Sequence, residues 1–88
     1  MTSAKNTVSV TKRIDNLDKV RRAWNPDRGY IIVGFDDKLA MSEVTRILED
    51  NEYIPFDIDH NWLVDGKEVT AMHFCHESEK ENWIEPRI

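Results

Sequence analysis

Ile54-Pro55-Phe56-Asp57-Ile58-Asp59-His60-Asn61-Trp62-Leu63-Val64-Asp65-Gly66-Lys67-Glu68-Val69-Thr70-Ala71-Met72-His73-Phe74-Cys75-His76 is the stretch on which the fold turns. Asp65-Gly66 is a two-residue hairpin signal, because both central positions of such a turn need φ > 0. Around that turn Val64 pairs with Lys67, Trp62 with Val69, His60 with Ala71, Ile58 with His73 and Phe56 with Cys75. One face then carries Ile54, Phe56, Ile58, His60, Trp62, Val64, Val69, Ala71, His73 and Cys75, and is the expected core face. The opposite face carries Asp57, Asp59, Asn61, Leu63, Glu68, Thr70, Met72, Phe74 and His76. A one-residue slip would invert both faces, so the burial pattern specifies the register. Pro55 has no N–H for a ladder, which places this strand at an edge.

Upstream, Tyr30-Ile31-Ile32-Val33-Gly34-Phe35 is apolar at every position but the glycine and reads as an interior strand. Asp36 and Asp37 then favour a helix start. Ala40, Met41, Val44, Ile47 and Leu48 form the stripe of a helix reaching Glu49 or Asn51. Thr7-Val8-Ser9-Val10-Thr11 alternates and is β-branched, which predicts a short strand. Asp15 is a plausible cap for a helix displaying Leu17, Val20, Ala23 and Trp24, and Asn25-Pro26-Asp27-Arg28-Gly29 makes the turn that ends it.

These elements predict an α+β fold: a single-layer mixed sheet of three to four strands with two helices on one face, in the order β-α-β-α-β-β, ending in the long hairpin. The expected organisation is a flexible N-terminus over 1–6, one domain over 7–76, and a charged C-terminal tail over 77–88 that docks through Trp83 and Ile84.

The chain has 88 residues, 40% hydrophobic and 33% charged, which is the composition of one small globular domain. No apolar run approaches the ~18 residues of a membrane span, and Met1-Thr2-Ser3-Ala4-Lys5-Asn6 lacks the apolar region of a secretory signal. Cys75 is the only cysteine, so neither an intrachain disulfide nor a Cys-x-x-Cys site can form; a cytoplasmic setting is expected. Three glycines leave no phosphate-cradling motif, and no cofactor is expected. The net charge of −5 is unevenly spread. Residues 1–28 hold seven Lys/Arg against three Asp, whereas residues 29–88 hold five against fourteen Asp/Glu.

All three histidines and the cysteine fall in the hairpin. Imidazole and thiolate are natural Zn²⁺ ligands, and His60, His73 and Cys75 share a face in the register above, with His60 and His73 diagonal neighbours roughly 7 Å apart. That face is the expected core, where a neutral, hydrogen-bonded histidine is the ordinary occupant, so no metal site is assigned, and a Zn²⁺-binding domain built on His60, His73 and Cys75 stands as the alternative function. A Cys75–histidine nucleophile is disfavoured because apolar burial raises a thiol's pKa. Asp57 and Asp59 lie side by side on an open sheet face with no cleft for a substrate, and no catalytic residue is assigned.

Two surfaces stand out. Asp36, Asp37, Glu49, Asp50, Glu52, Asp57, Asp59 and Glu68 form a negative region that suits a basic or nucleic-acid-associated protein partner, as a regulator, adaptor or inhibitor would need. Leu63, Met72 and Phe74 form an apolar patch on the outer sheet face, suited to a homodimer or to the tail. The candidate protein-binding residues are therefore Asp57, Asp59, Glu68, Leu63, Met72 and Phe74. Lys12, Arg13, Lys19, Arg21, Arg22 and Arg28 on or beside the first helix would serve nucleic acid, a weaker alternative because the acidic body opposes phosphate.

Overall fold

Thr7, Val10, Thr11 and Ile14 are all buried, the i, i+3, i+4, i+7 spacing of a helix face, and the chain there is helical. The computed structural model describes residues 7–83. Its elements are α1 (Thr7–Asp15), β1 (Val20–Asp27), β2 (Tyr30–Phe35), α2 (Met41–Asp50), β3 (Tyr53–Val64), β4 (Lys67–His76) and α3 (Lys80–Trp83), with 3-10 turns at Lys38–Ala40 and Glu77–Glu79. The expected order β-α-β-α-β-β is therefore corrected to α-β-β-α-β-β-α, with three helices instead of two. Residues 1–6, expected to be flexible, and 84–88 of the expected tail lie outside the described residues. No helix among the described residues is long and apolar enough to cross a membrane.

Two local misreadings produce the wrong order. The β-branched run at Thr7–Thr11 has strand propensity, but packing overrides it. Val10 and Ile14 enter the core, Thr11 Oγ1 donates to the Thr7 carbonyl at 2.6 Å, and the Thr7 hydroxyl hydrogen-bonds that of Tyr53. Val20 and Ala23, read as neighbours on a helix, lie instead on one face of β1. A bulge between Val20 and Arg22 brings both inward opposite Phe35 and Val33, so an irregular strand reproduces the spacing of a helix. Asp15, expected to start that helix, ends α1, and its Oδ1 accepts the Ala23 N–H at 2.8 Å.

The strands form one sheet in the order β1-β2-β4-β3 with every neighbouring pair antiparallel, so the expected mixed sheet is also corrected. β2 is the interior strand next to the N-terminal edge, which accounts for its apolarity on both faces. In the β3–β4 hairpin Asp65 and Gly66 have φ of 52° and 81°, and Val64 pairs with Lys67 and Trp62 with Val69.

Beyond Trp62 the register departs from the expectation. One bulge lies between Asp59 and Trp62 and another between Pro55 and Asp57, so Ala71 faces Asp59, His73 faces Asp57, and Cys75 faces Ile54. The helices lie over the side of the sheet that presents Ile31, Val33, Phe35, Met72, Phe74 and Tyr53, and Val44 and Leu48 of α2 close the core against it. The expected core face is thus inverted along β4. Met72 and Phe74 are buried under helices, and the expected apolar patch is reduced to Leu63, which is exposed. The homodimer surface expected there is lost with it.

Candidate functional site on the uncovered sheet face

The bulges of β3 decide what gathers on the helix-free side. Without them Asp57 and Asp59 would face away from His73; with them both share its face, while His60 moves out to the surface. His60 lines a shallow depression with Phe35, Asp36, Lys38, Lys67, Glu68 and Thr70 instead. The expected diagonal pairing of His60 with His73 therefore does not form. No group of three or more His, Cys, Asp or Glu side chains converges among the described residues, and the set His60, His73 and Cys75 is corrected accordingly.

His73 is buried and bonded at both ring nitrogens. Nε2 lies 2.8 Å from Asp59 Oδ2, and Nδ1 lies 2.7 Å from the Tyr30 hydroxyl. A carboxylate only accepts, so Nε2 donates to Asp59, while the Tyr30 hydroxyl, which can donate or accept, satisfies Nδ1. The order Tyr30–His73–Asp59 is a fully satisfied polar network within an otherwise apolar layer. Burial first, and then Asp57 and Asp59, raise the Tyr30 phenol above its ordinary value.

Aromatic rings enclose this network. His73 packs edge-on against Trp62 at 5.2 Å, and Phe56 and Tyr30 stand 6.1 and 5.9 Å away. Trp24 extends the cluster from Trp62 at 6.5 Å, and Trp83 of α3 closes on Tyr30 at 4.8 Å. All three tryptophans of the chain belong to this layer. Trp24, Tyr30, Phe56, Trp62 and Trp83 are each only half-buried. A depression lined by Arg22, Trp24, Leu63, Val64 and Asp65 flanks the cluster at the turn end. Another, lined by Pro55, Phe56, Asp57, Ile58 and Met72, opens along the β3 edge towards the helix side, to which the Ile58–Met72 pair belongs. Neither Tyr30 nor His73 lines either of them; both stand among the rings, Tyr30 against Phe56 and Trp83 and His73 against Trp62.

The remaining candidates are dispersed. Glu68 is exposed towards the turn end of the hairpin, with Leu63 opposite it. Of the negative region, Asp36 is neutralised by Arg21 at 2.8 Å and Lys67 at 3.5 Å. The basic residues do not form a helix face: only Lys12 and Arg13 lie on α1, and Arg22 and Arg28 pair with Asp65 and Glu79 at 3.6 and 3.8 Å. The arrangement on which nucleic-acid binding rested is absent. His76 is buried on the helix side, its Nδ1 accepting from the Ser78 N–H at 3.1 Å.

Cys75 lies beneath α3, and burial, reinforced by Glu79, pushes its thiol from 9.0 up to about 11. At pH 8 the native thiol therefore holds about a hundredfold less thiolate than an ordinary cysteine. Ellman's reagent is expected to label the unfolded chain promptly and the native protein only slowly; equal rates would contradict the burial. Tyr30 and Tyr53 are shifted upward as well. All three groups favour their neutral forms in the fold, so their contribution is complete below about pH 9 and declines above it, that of Cys75 being lost as pH rises through about 11. Urea midpoints measured between those values should fall.

Sequence reasoning missed the aromatic layer because it assigned Trp24 to a helix and Trp62 to the core. The usable signal was Tyr30, which alternates with Ile31 in a strand whose other face must meet the helices. No known protein family matches the chain, and no curated protein or solved structure matches it.

Proposed function

We propose that the chain is a small non-enzymatic interaction module, a regulator, adaptor or inhibitor of the cytoplasm, that binds a protein partner through the uncovered sheet face. The observation that carries this reading is the set of half-buried rings of Trp24, Tyr30, Phe56, Trp62 and Trp83 around His73, with Asp57 and Asp59 beside them. Large aromatic side chains are the usual anchors of protein interfaces, and a polar margin around an apolar centre is their usual anatomy. A network that consumes both nitrogens of His73 supports a binding role over catalysis, because no ring nitrogen is left to exchange a proton with a substrate. A buried, unpaired thiol at Cys75 suits a reducing compartment.

The test is affinity capture from the source cells followed by hydrogen-exchange footprinting of the complex. One dominant partner should be recovered, lost on Asp57→Lys, with slowed exchange confined to β1, β3 and the α3 segment. Protection confined to α1 and α2 would place the contact surface on the other side and overturn the proposal.

A further inference from the structure

We infer that the partner presents a basic side chain, lysine or arginine in an extended segment, to the Phe56–Asp57–Asp59 end of the uncovered face. This rests on the reading of that face as the contact surface and specifies what it recognises.

Three observations converge on a cation. Aromatic rings carry negative π-faces, and Phe56 and Trp62 both stand beside His73 at this end of the layer. Asp57 is exposed; its Oδ1 accepts the Ile58 N–H, and no lysine or arginine among the described residues pairs with it. Asp59 is hydrogen-bonded to His73 through Oδ2, and its side chain is still 44% exposed beside Asp57. The β3 bulge between Asp59 and Trp62 turns both carboxylates, two residues apart on the strand, onto the face of His73.

The opposite end of the layer differs in sign. There Arg22 stands beside Trp24 and pairs with Asp65 at 3.6 Å, so that depression is close to neutral. The face is therefore polarised along its length, and a cation is favoured at one end alone. The charge of the whole chain, −5, attracts a basic segment from a distance and repels a phosphate backbone. Stacked bases would suit the rings, but Asp57 and Asp59 would face their phosphates.

The experiment uses the tryptophans as built-in reporters, since all three belong to this layer. Hexa-arginine, an uncharged serine-glycine hexapeptide, hexaglutamate and oligothymidylate are each titrated against the full chain while tryptophan fluorescence is followed. Hexa-arginine is expected to change the emission and bind saturably, more weakly as salt rises, with affinity reduced about tenfold by Asp57→Lys. Asp57→Lys replaces an exposed side chain, and circular dichroism establishes that the variant is folded. Charge reversal at Glu43, an exposed carboxylate on α2, should leave binding within about twofold and excludes general attraction to an acidic protein. Binding of hexa-arginine that ignores Asp57→Lys, or no binding of it at all, overturns the inference. Saturable binding of oligothymidylate or the uncharged peptide in its place overturns it too, while leaving the face standing as a contact surface. Failure of the footprinting experiment above would instead remove the surface itself.

Discussion

Phe74→Ala is expected to destabilise the domain by about 3–5 kcal/mol, and Leu63→Ala by no more than about 0.5 kcal/mol. Phe74 is 0% exposed on β4, paired with Ile31 across the sheet and enclosed by the core beneath α1 and α2. Truncation there removes the ring's burial and leaves a cavity that the β2–β4 ladder cannot collapse to fill. Leu63 is 69% exposed, and its deletion changes little of what the fold buries. Urea denaturation of the two variants measures the contrast directly. A domain of this size is stable by only about 5–10 kcal/mol, so Phe74→Ala can fall near the unfolding threshold. Phe74→Leu, expected to cost about 1 kcal/mol, keeps the comparison measurable in that event. Equal costs at the two positions would mean that the helices lie over the other face of the sheet.

That contrast matters because the unaided sequence groups Leu63, Met72 and Phe74 as one exposed patch. The error is small in sequence and large in space. The pairing near the turn is legible, because φ > 0 at Asp65 and Gly66 is a local requirement that those residues meet. Alternation along β4 is also legible: His73 and Cys75 do share a face, and Met72 and Phe74 the other. Which face meets the helices is not local. Both faces of β4 are buried, one by α1 and α2 and one by an aromatic layer, so apolar content does not distinguish them. The β3 bulges are likewise invisible, since nothing in Asp59-His60-Asn61-Trp62 marks an extra residue. Yet they decide the site, because they exchange His60 for Asp59 as the neighbour of His73. The β1 bulge has the same character: it spaces Val20 and Ala23 as a helix would. In α1 the true pattern, Thr7, Val10, Thr11 and Ile14, was present, but β-branched composition outweighed its period.

Asp59→Ala is expected to cost about 1–3 kcal/mol, more than the loss of an ordinary half-exposed carboxylate. The reason is its partner. The Asp59 side chain is 44% exposed and can return to water, but that of His73 is 6% exposed and cannot. Removing the carboxylate leaves the Nε2–H of His73 enclosed by Trp62, Phe56 and Tyr30 without an acceptor. The penalty is therefore the desolvation of the imidazole, and it disappears if the imidazole is absent. In a double-mutant cycle, His73→Leu in the Asp59→Ala background should cost less than His73→Leu alone, with a coupling of about 0.5–3 kcal/mol. Additivity within about 0.3 kcal/mol would show that the Tyr30–His73–Asp59 network does not organise the face. Asp59→Asn separates order from charge. Its amide oxygen can still accept from Nε2–H, so stability should largely survive with a weaker, neutral hydrogen bond, while one negative charge is gone. If the network pre-organises the aromatic layer and the carboxylates attract the ligand, Asp59→Asn should weaken hexa-arginine binding and keep the native tryptophan emission. Asp59→Ala should disturb both, because the rings that meet the cation are held by the histidine that the carboxylate satisfies.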